Sequence, residues 1–209
     1  MSEIAKRLKE CRKPTGVPGK LVVEDMNEKH FELTGWGLQK VSIEENSMIL
    51  DIGCGGGRTV NRLASMTTKG KVFGIDYSMD CVNWSKEYNQ ELLHQGQVEI
   101  LHASVEEMPF EEDKFDFIFA VETIYFWPNL LENLKEVRRV LKPSGKFIII
   151  NEMYASEKFK ERNEAFAATG NIKIHTPEEL KELLEKAGYH SIAIDLVEEK
   201  NWLCCVGEK

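Results

Sequence analysis

Basic residues are in the minority in this chain. Lysine and arginine number 27 against 35 acids, a formal net charge of -8 at pH 7. A protein that grips nucleic acid by its phosphates needs a basic face, so small-molecule partners are the better expectation. One basic run, Lys6, Arg7, Lys9, Arg12 and Lys13, reads as the solvated face of a first helix. Long apolar runs are absent. No stretch approaches the ~18 apolar residues of a membrane span. The N-terminus is charged and has no apolar signal core. A soluble, cytoplasmic protein with no membrane partner is expected, as a monomer or homodimer. The five cysteines (Cys11, Cys54, Cys81, Cys204, Cys205) contain no CxxC pair and read as small buried apolar groups. The five histidines (His30, His94, His102, His175, His190) show no metal-ligand spacing with each other or with the cysteines, so no metal is expected.

What is present suits one α/β domain. The 209 residues are 42% hydrophobic, enough to bury a sizeable core. Residues 1–46 carry no clear strand and read as a helical appendage covering the rest. Glu3–Cys11 is expected to be a short amphipathic helix, and Lys13–Lys20 a loop broken by Pro14, Gly16, Pro18 and Gly19. One or two short helices follow around Gly35 and Gly37. From Ser47 apolar runs alternate with helical segments. Strands are expected at Met48–Ile52, Lys71–Ile75, Val98–His102, Phe115–Val121 and Lys146–Ile150. Helices are expected at Thr59–Met66, Ser78–His94 with Ser78 as cap, Leu130–Leu141, Ser156–Ala168 and Thr176–Ala187. Continuous apolar strands separated by helices imply a parallel sheet covered on both faces. Ser191–Val197 and Trp202–Val206 are joined by too few residues for a crossover, so they form an antiparallel hairpin.

The strongest local signal is Asp51-Ile-Gly53-Cys-Gly55-Gly56-Gly57, directly after an apolar strand. Glycine there permits a sharp strand-to-helix turn and close approach of backbone to a ligand. The helix that follows offers free N–H groups. A dinucleotide fingerprint needs glycine at its first, third and sixth places. Counting from Gly53 the sixth place is Arg58, and from Gly55 it is Val60, so the fingerprint fails. The Gly-Lys-Ser/Thr of a P-loop is absent too. Asp76, at the tip of the second strand, can accept hydrogen bonds from a ribose diol.

The remaining pattern, (D/E)xGxGxG, resembles the cofactor turn of class I, Rossmann-like S-adenosylmethionine-dependent methyltransferases. HASVEEMPF and KEVRRVLKPSGKFII are similar to later segments of that family. The resemblance spans about Ser47 to Val206. It implies a seven-stranded, mostly parallel sheet with an antiparallel strand from a C-terminal hairpin, within a domain over 47–209. It implies that Asp51, Gly53 and Gly55 hold the loop and the amino-acid end of S-adenosyl-L-methionine, that Asp76 holds the ribose, and that Tyr77 flanks the adenine. Val121, with Glu122 beside it, falls where the family contacts the methionine part. Ser104 stands where the family carries an acid near the adenine amino group; it accepts a hydrogen bond without charge, and the backbone of Val105 is the alternative contact. Upstream, MNEKHFELTGWGL resembles a segment that covers the cofactor in small family members, which singles out His30 and Trp36. The implied activity is methyl transfer to a small-molecule acceptor. A nicotinamide-dependent oxidoreductase and a non-catalytic S-adenosylmethionine-binding module are the alternatives. No base is fixed by the sequence: His30 and Tyr125 are the leading candidates, with Glu122, Tyr154 and His175 behind them. Tyr125, Phe126 and Trp127 are placed to line the acceptor pocket, and 154–169 to form a lid.

Overall fold

The computed structural model describes residues 10–209. Runs of four or five apolar residues without polar alternation suit strands covered on both faces, and each expected run is a strand. They are β1 (Met48–Ile52), β2 (Lys71–Asp76), β3 (Val98–His102), β4 (Phe115–Val121), β5 (Leu141–Asn151), β6 (His190–Val197) and β7 (Trp202–Glu208). The helices are α1 (Gly16–Lys29), α2 (Phe31–Leu38), α3 (Arg58–Met66), α4 (Met79–Tyr88), α5 (Gln90–His94), α6 (Leu130–Val140), α7 (Lys160–Gly170) and α8 (Pro177–Lys186).

The seven strands form one sheet in the order β3-β2-β1-β4-β5-β7-β6. Leu50 of β1 pairs with Phe73 on one side and Ile118 on the other, both in parallel. Only β7 runs against the rest, inserted between β5 and β6 with Ile149 opposite Cys205. The expected mixed sheet and terminal hairpin are thus observed. Strand order reverses between β1 and β4, and open α/β sheets bind ligands at the carboxyl ends of the strands where that happens. Two apolar layers sandwich the sheet, one around Phe115, Phe147 and Leu134, the other around Ile49, Leu63 and Ile148. Cys204 lies in the second layer and Cys205 in the first, as strand alternation requires. Leu33 and Leu38 of α2 join the layer that contains Ile49.

Some local expectations are corrected. Lys13–Lys20 is not all loop, because α1 begins at Gly16. Pro18 falls in its first turn, where a backbone N–H has no intrahelical partner to lose. Gly19 is packed so closely on Pro14 that a Cβ there would stand 2.7 Å from the Pro14 carbonyl carbon. The helix expected over Ser78–His94 breaks at Asn89. Its side-chain amide donates to the carbonyls of Ser85 and Gly57, at 2.9 and 3.0 Å, tying the break to the glycine turn. Strand β5 starts earlier than Lys146: Leu141 already pairs with Phe115, and the pairing then jumps to Lys146 opposite Phe117. Ser144 lies in that bulge, at φ +60°. Of the expected Glu3–Cys11 helix, Glu10 and Cys11 are helical and the rest lies outside the described residues. Lys6, Arg7 and Lys9 lie outside them as well. Among the described residues no helix is long and apolar enough to cross a membrane.

Candidate cofactor and acceptor site

The turn after β1 is stitched to the end of β2. The N–H groups of Gly53 and Cys54 both donate to the Ile75 carbonyl, at 2.8 and 3.0 Å. Gly53, Gly55 and Gly57 all sit at positive φ, +74°, +51° and +81°, a conformation cheap only for glycine. Two of them are also short of space. A Cβ on Gly53 would stand 2.4 Å from Thr123 Cγ2, and one on Gly57 2.4 Å from Ser85 Oγ. Gly55 differs, because nothing lies within 4 Å of where its Cβ would be. The backbone there faces open cavity.

Asp76 is buried at the tip of β2. One carboxylate oxygen accepts from Ser78 N–H at 2.8 Å and the other from Gly55 N–H at 3.0 Å. Burial raises its pKa, and those two N–H groups oppose the rise. Each oxygen retains a lone pair for a hydroxyl donor. Ser78 caps α4, as expected, by accepting from Cys81 N–H. Asp51, at the end of β1, is 2% exposed. Its Oδ2 has no hydrogen-bond partner, and burial, reinforced by the charge of Asp76, pushes its pKa up to about 7. An orphaned buried carboxylate is costly, and it stands beside a cavity of about 630 Å³.

All eight positions expected to hold the cofactor, Asp51, Gly53, Gly55, Asp76, Tyr77, Ser104, Val105 and Val121, line this one cavity. Tyr77 is 40% exposed, with its hydroxyl donating to the Arg12 carbonyl. Ser104 Oγ is bound locally, accepting from Glu106 N–H and donating to its carboxylate, both at 3.2 Å. Glu106 also lines the cavity and supplies an acid two residues from the place where Ser104 lacks one. Val105 is buried, its side chain within the core.

Of the residues considered for proton transfer, the fold brings His30, Glu122 and Tyr125 to the cavity. Tyr154 packs into the core instead. His175 sits beside Glu179 at the start of α8, outside the cavity lining. Trp36 packs on Trp202, ring centroids 5.9 Å apart, and does not line the cavity. Arg162, Ala165, Phe166 and Thr169, within the stretch expected as a lid, do line it. Val23, Asn27 and His30 of the α1 segment line it as well.

Glu152 was not legible as a site residue. It lies just past β5, and the pairing of Val121 with Ile150 sets it beside Glu122. Glu122 itself takes φ +59°, uncommon for a residue with a side chain and frequent at functional sites. Its Oε1 accepts from the Glu152 N–H, and the Tyr125 hydroxyl lies 3.3 Å from it, sharing its proton with the nearer Met153 carbonyl at 3.0 Å. The Tyr125 oxygen also accepts from Met153 N–H at 3.1 Å. Burial, then the charge of Glu122, drives the Tyr125 pKa well above its ordinary value. For His30, burial pushes the pKa down, but Glu152 and the charge of Glu122 outweigh it and the net shift is upward.

A glycine turn, an acid at the tip of the neighbouring strand, and a cavity at the sheet's reversal point define a nucleoside-cofactor protein of the Rossmann-like class. The open space over Gly55, the spare lone pairs of Asp76 and the orphaned oxygen of Asp51 fit such a group. Within that class the chain is a methyltransferase-domain protein: the family model "Methyltransferase domain" matches residues 43–188, and the chain belongs to that family. It is 28% identical over 180 residues to sterol 4-C-methyltransferase strm-1 of Caenorhabditis elegans, covering 83% of this chain and 52% of that one. It is 33% identical over 111 residues to a demethylmenaquinone methyltransferase of Bacillus cereus, covering 53% and 46%. The chain therefore spans about half the length of the curated relatives it matches. A SAM-dependent methyltransferase from Aquifex aeolicus superposes with a TM-score of 0.71 at 25% identity, over 93% of this chain and 98% of that one. The family's cofactor is S-adenosylmethionine.

Proposed function

We propose that this chain transfers a methyl group from S-adenosylmethionine to a small, largely apolar acceptor. The observation that carries the reading is that one cavity is lined both by the glycine turn and Asp76 and by Tyr125, Phe126, Trp127 and Phe166. When bound, the cofactor supplies a methyl group on a sulfonium, a very good leaving group. The protein's task is then to position the acceptor and exclude water. In this reading Asp76 takes the ribose hydroxyls, and Asp51, Gly53 and Gly55 hold the loop at the amino-acid end. Tyr77, Ser104 and Val105 border the adenine, and Val121 borders the methionine chain. In the segment 1–46, the described helices α1 and α2 act as a cover over a cofactor-binding domain of 47–209. The acceptors named for the relatives, a sterol and demethylmenaquinone, are small and mainly apolar, in keeping with the aromatic residues that line the cavity.

Calorimetry with S-adenosylmethionine and S-adenosylhomocysteine tests the reading. Binding of both is expected, weakened in Asp76→Ala. Binding of NADH in their place would favour an oxidoreductase. Cofactor binding with no S-adenosylhomocysteine formed from any acceptor pool would favour a non-catalytic module.

A further inference from the structure

His30 ends α1, Glu122 follows β4 and Glu152 follows β5, yet one side-chain donor atom from each lies within 4.8 Å of the other two. The cofactor-binding roles above use none of the three side chains. The hydrogen bonds to the Glu122 carboxylate, from the Glu152 N–H and at 3.3 Å from the Tyr125 hydroxyl, both fall on Oε1. None falls on Oε2, and Glu122 lines the cavity.

We propose that Glu122 is the base that takes the acceptor's proton, and that the acceptor is a weakly acidic hydroxyl on a conjugated apolar body, a phenol or an enol. The inference rests on the methyl-transfer reading and names its acceptor class. A neutral hydroxyl is a poor nucleophile and must lose its proton before or during attack. In the step, the acceptor O–H bond breaks and its proton passes to Glu122. The electron pair left on the acceptor bonds to the methyl carbon. The carbon–sulfur bond breaks, and its pair stays on sulfur.

The surroundings of Glu122 suit that task. Burial raises its pKa, to about 7 with the charge of Glu152 adding and His30 opposing. A base is most effective when its pKa lies near the working pH. The other charged groups around the cluster are Asp25 and Lys29 of α1 and Arg162 of α7, with the Tyr125 hydroxyl beside Glu122. Tyr125 holds its own proton too tightly to serve. His30 Nε2 lies 3.8 Å from Glu152 Oε1. Glu152 is held below its ordinary pKa, first by His30, so those two charges offset one another. The neighbouring wall of Phe126, Trp127, Met153 and Phe166 suits a flat apolar body.

The test uses the full chain with two probe acceptors of one ring system, 1-naphthol and 1-naphthylmethylamine. S-adenosylhomocysteine formation is followed against pH. Transfer to the naphthol is expected, rising through one ionisation near neutral pH. Glu122→Gln should lose that step and about 100-fold or more in kcat, with KM and S-adenosylhomocysteine affinity little changed. His30→Gln removes the cation that lowers the Glu122 pKa, so the step should move to higher pH. That second variant gives a readout even if Glu122→Gln fails to fold. Transfer to the amine but not the naphthol, or to neither probe while S-adenosylhomocysteine still binds, overturns the acceptor class. An unchanged pH profile in either variant overturns the role of Glu122. No S-adenosylhomocysteine binding by the wild type is a failure of the cofactor reading itself, and this inference falls with it.

Discussion

The Asp76 carboxylate accepts the Gly55 N–H at 3.0 Å, joining the tip of β2 to the middle of the glycine turn. One side chain thus shapes the loop and faces the cavity that the loop borders. The expected consequence is that Asp76→Ala loosens the turn and removes the acceptor for ribose hydroxyls together. Losing hydrogen bonds to a charged group costs about 1.5–3 kcal/mol, roughly a tenfold to 150-fold rise in the S-adenosylhomocysteine dissociation constant. Calorimetry reads it directly, and unchanged affinity would contradict the assignment.

Glycines 53 and 55 should respond differently to alanine. At Gly53 the new methyl group meets Thr123 at 2.4 Å as well as a backbone at φ +74°. Gly53→Ala is expected to cost about 2–4 kcal/mol of fold stability, from backbone strain plus overpacking. Gly55→Ala has open space around the added carbon, so only the backbone term of about 1–2 kcal/mol remains. Its methyl group projects into the cavity, and cofactor affinity should fall about tenfold or more. Denaturant unfolding and calorimetry on the same two variants separate the effects.

Asp51 predicts a conflict between stability and binding. Its pKa is raised to about 7 by burial and by Asp76. The folded state therefore holds this proton more tightly than the unfolded state. Stability is lost as pH rises from about 4, the unfolded aspartate value, to about 7. Asp51→Asn removes the buried charge. The cofactor-free variant should be more stable than the wild type by about 1–3 kcal/mol at pH 8. The gain should vanish near pH 4, and cofactor affinity should fall. Equal destabilisation of the variant at both pH values would refute this account.

Phe31 ties the proposed helical cover to α3: the guanidinium groups of Arg58 and Arg62 lie 4.5 and 4.7 Å from its ring. Arg62 also donates to the Phe31 carbonyl at 3.0 Å, and Arg58 to that of Asn27 at 3.1 Å. Exposed cation–π contacts contribute about 0.5–1 kcal/mol each. Phe31→Ala should therefore speed S-adenosylhomocysteine dissociation about fivefold to thirtyfold in stopped flow. An unchanged dissociation rate would mean that the cover does not gate the site.

The chain's own order of residues determined the sheet and one half of the site. The central strands β1 and β2 and the apolar halves of β4 and β5 were legible because a strand buried on both faces is a short continuous apolar run. The hairpin followed from the few residues between Val197 and Trp202. Asp51, Gly53, Gly55 and Asp76 were legible because a tight strand-to-helix turn and a strand tip are local features, written within a few residues. Tertiary structure alone decided the other half. Glu152 sits in no motif and acquires meaning from the register that sets Ile150 against Val121. His30 arrives from a helix that its prolines and glycines made look like loop at the start. Tyr125 and Glu122 were visible as residues, but the hydrogen bonds that join them to each other and to the chain after β5 were not. Local turns are set by backbone sterics between neighbours. The His30, Glu122 and Glu152 cluster is set by which strand ends pair and which helix closes over them, and those contacts span more than 120 residues of chain.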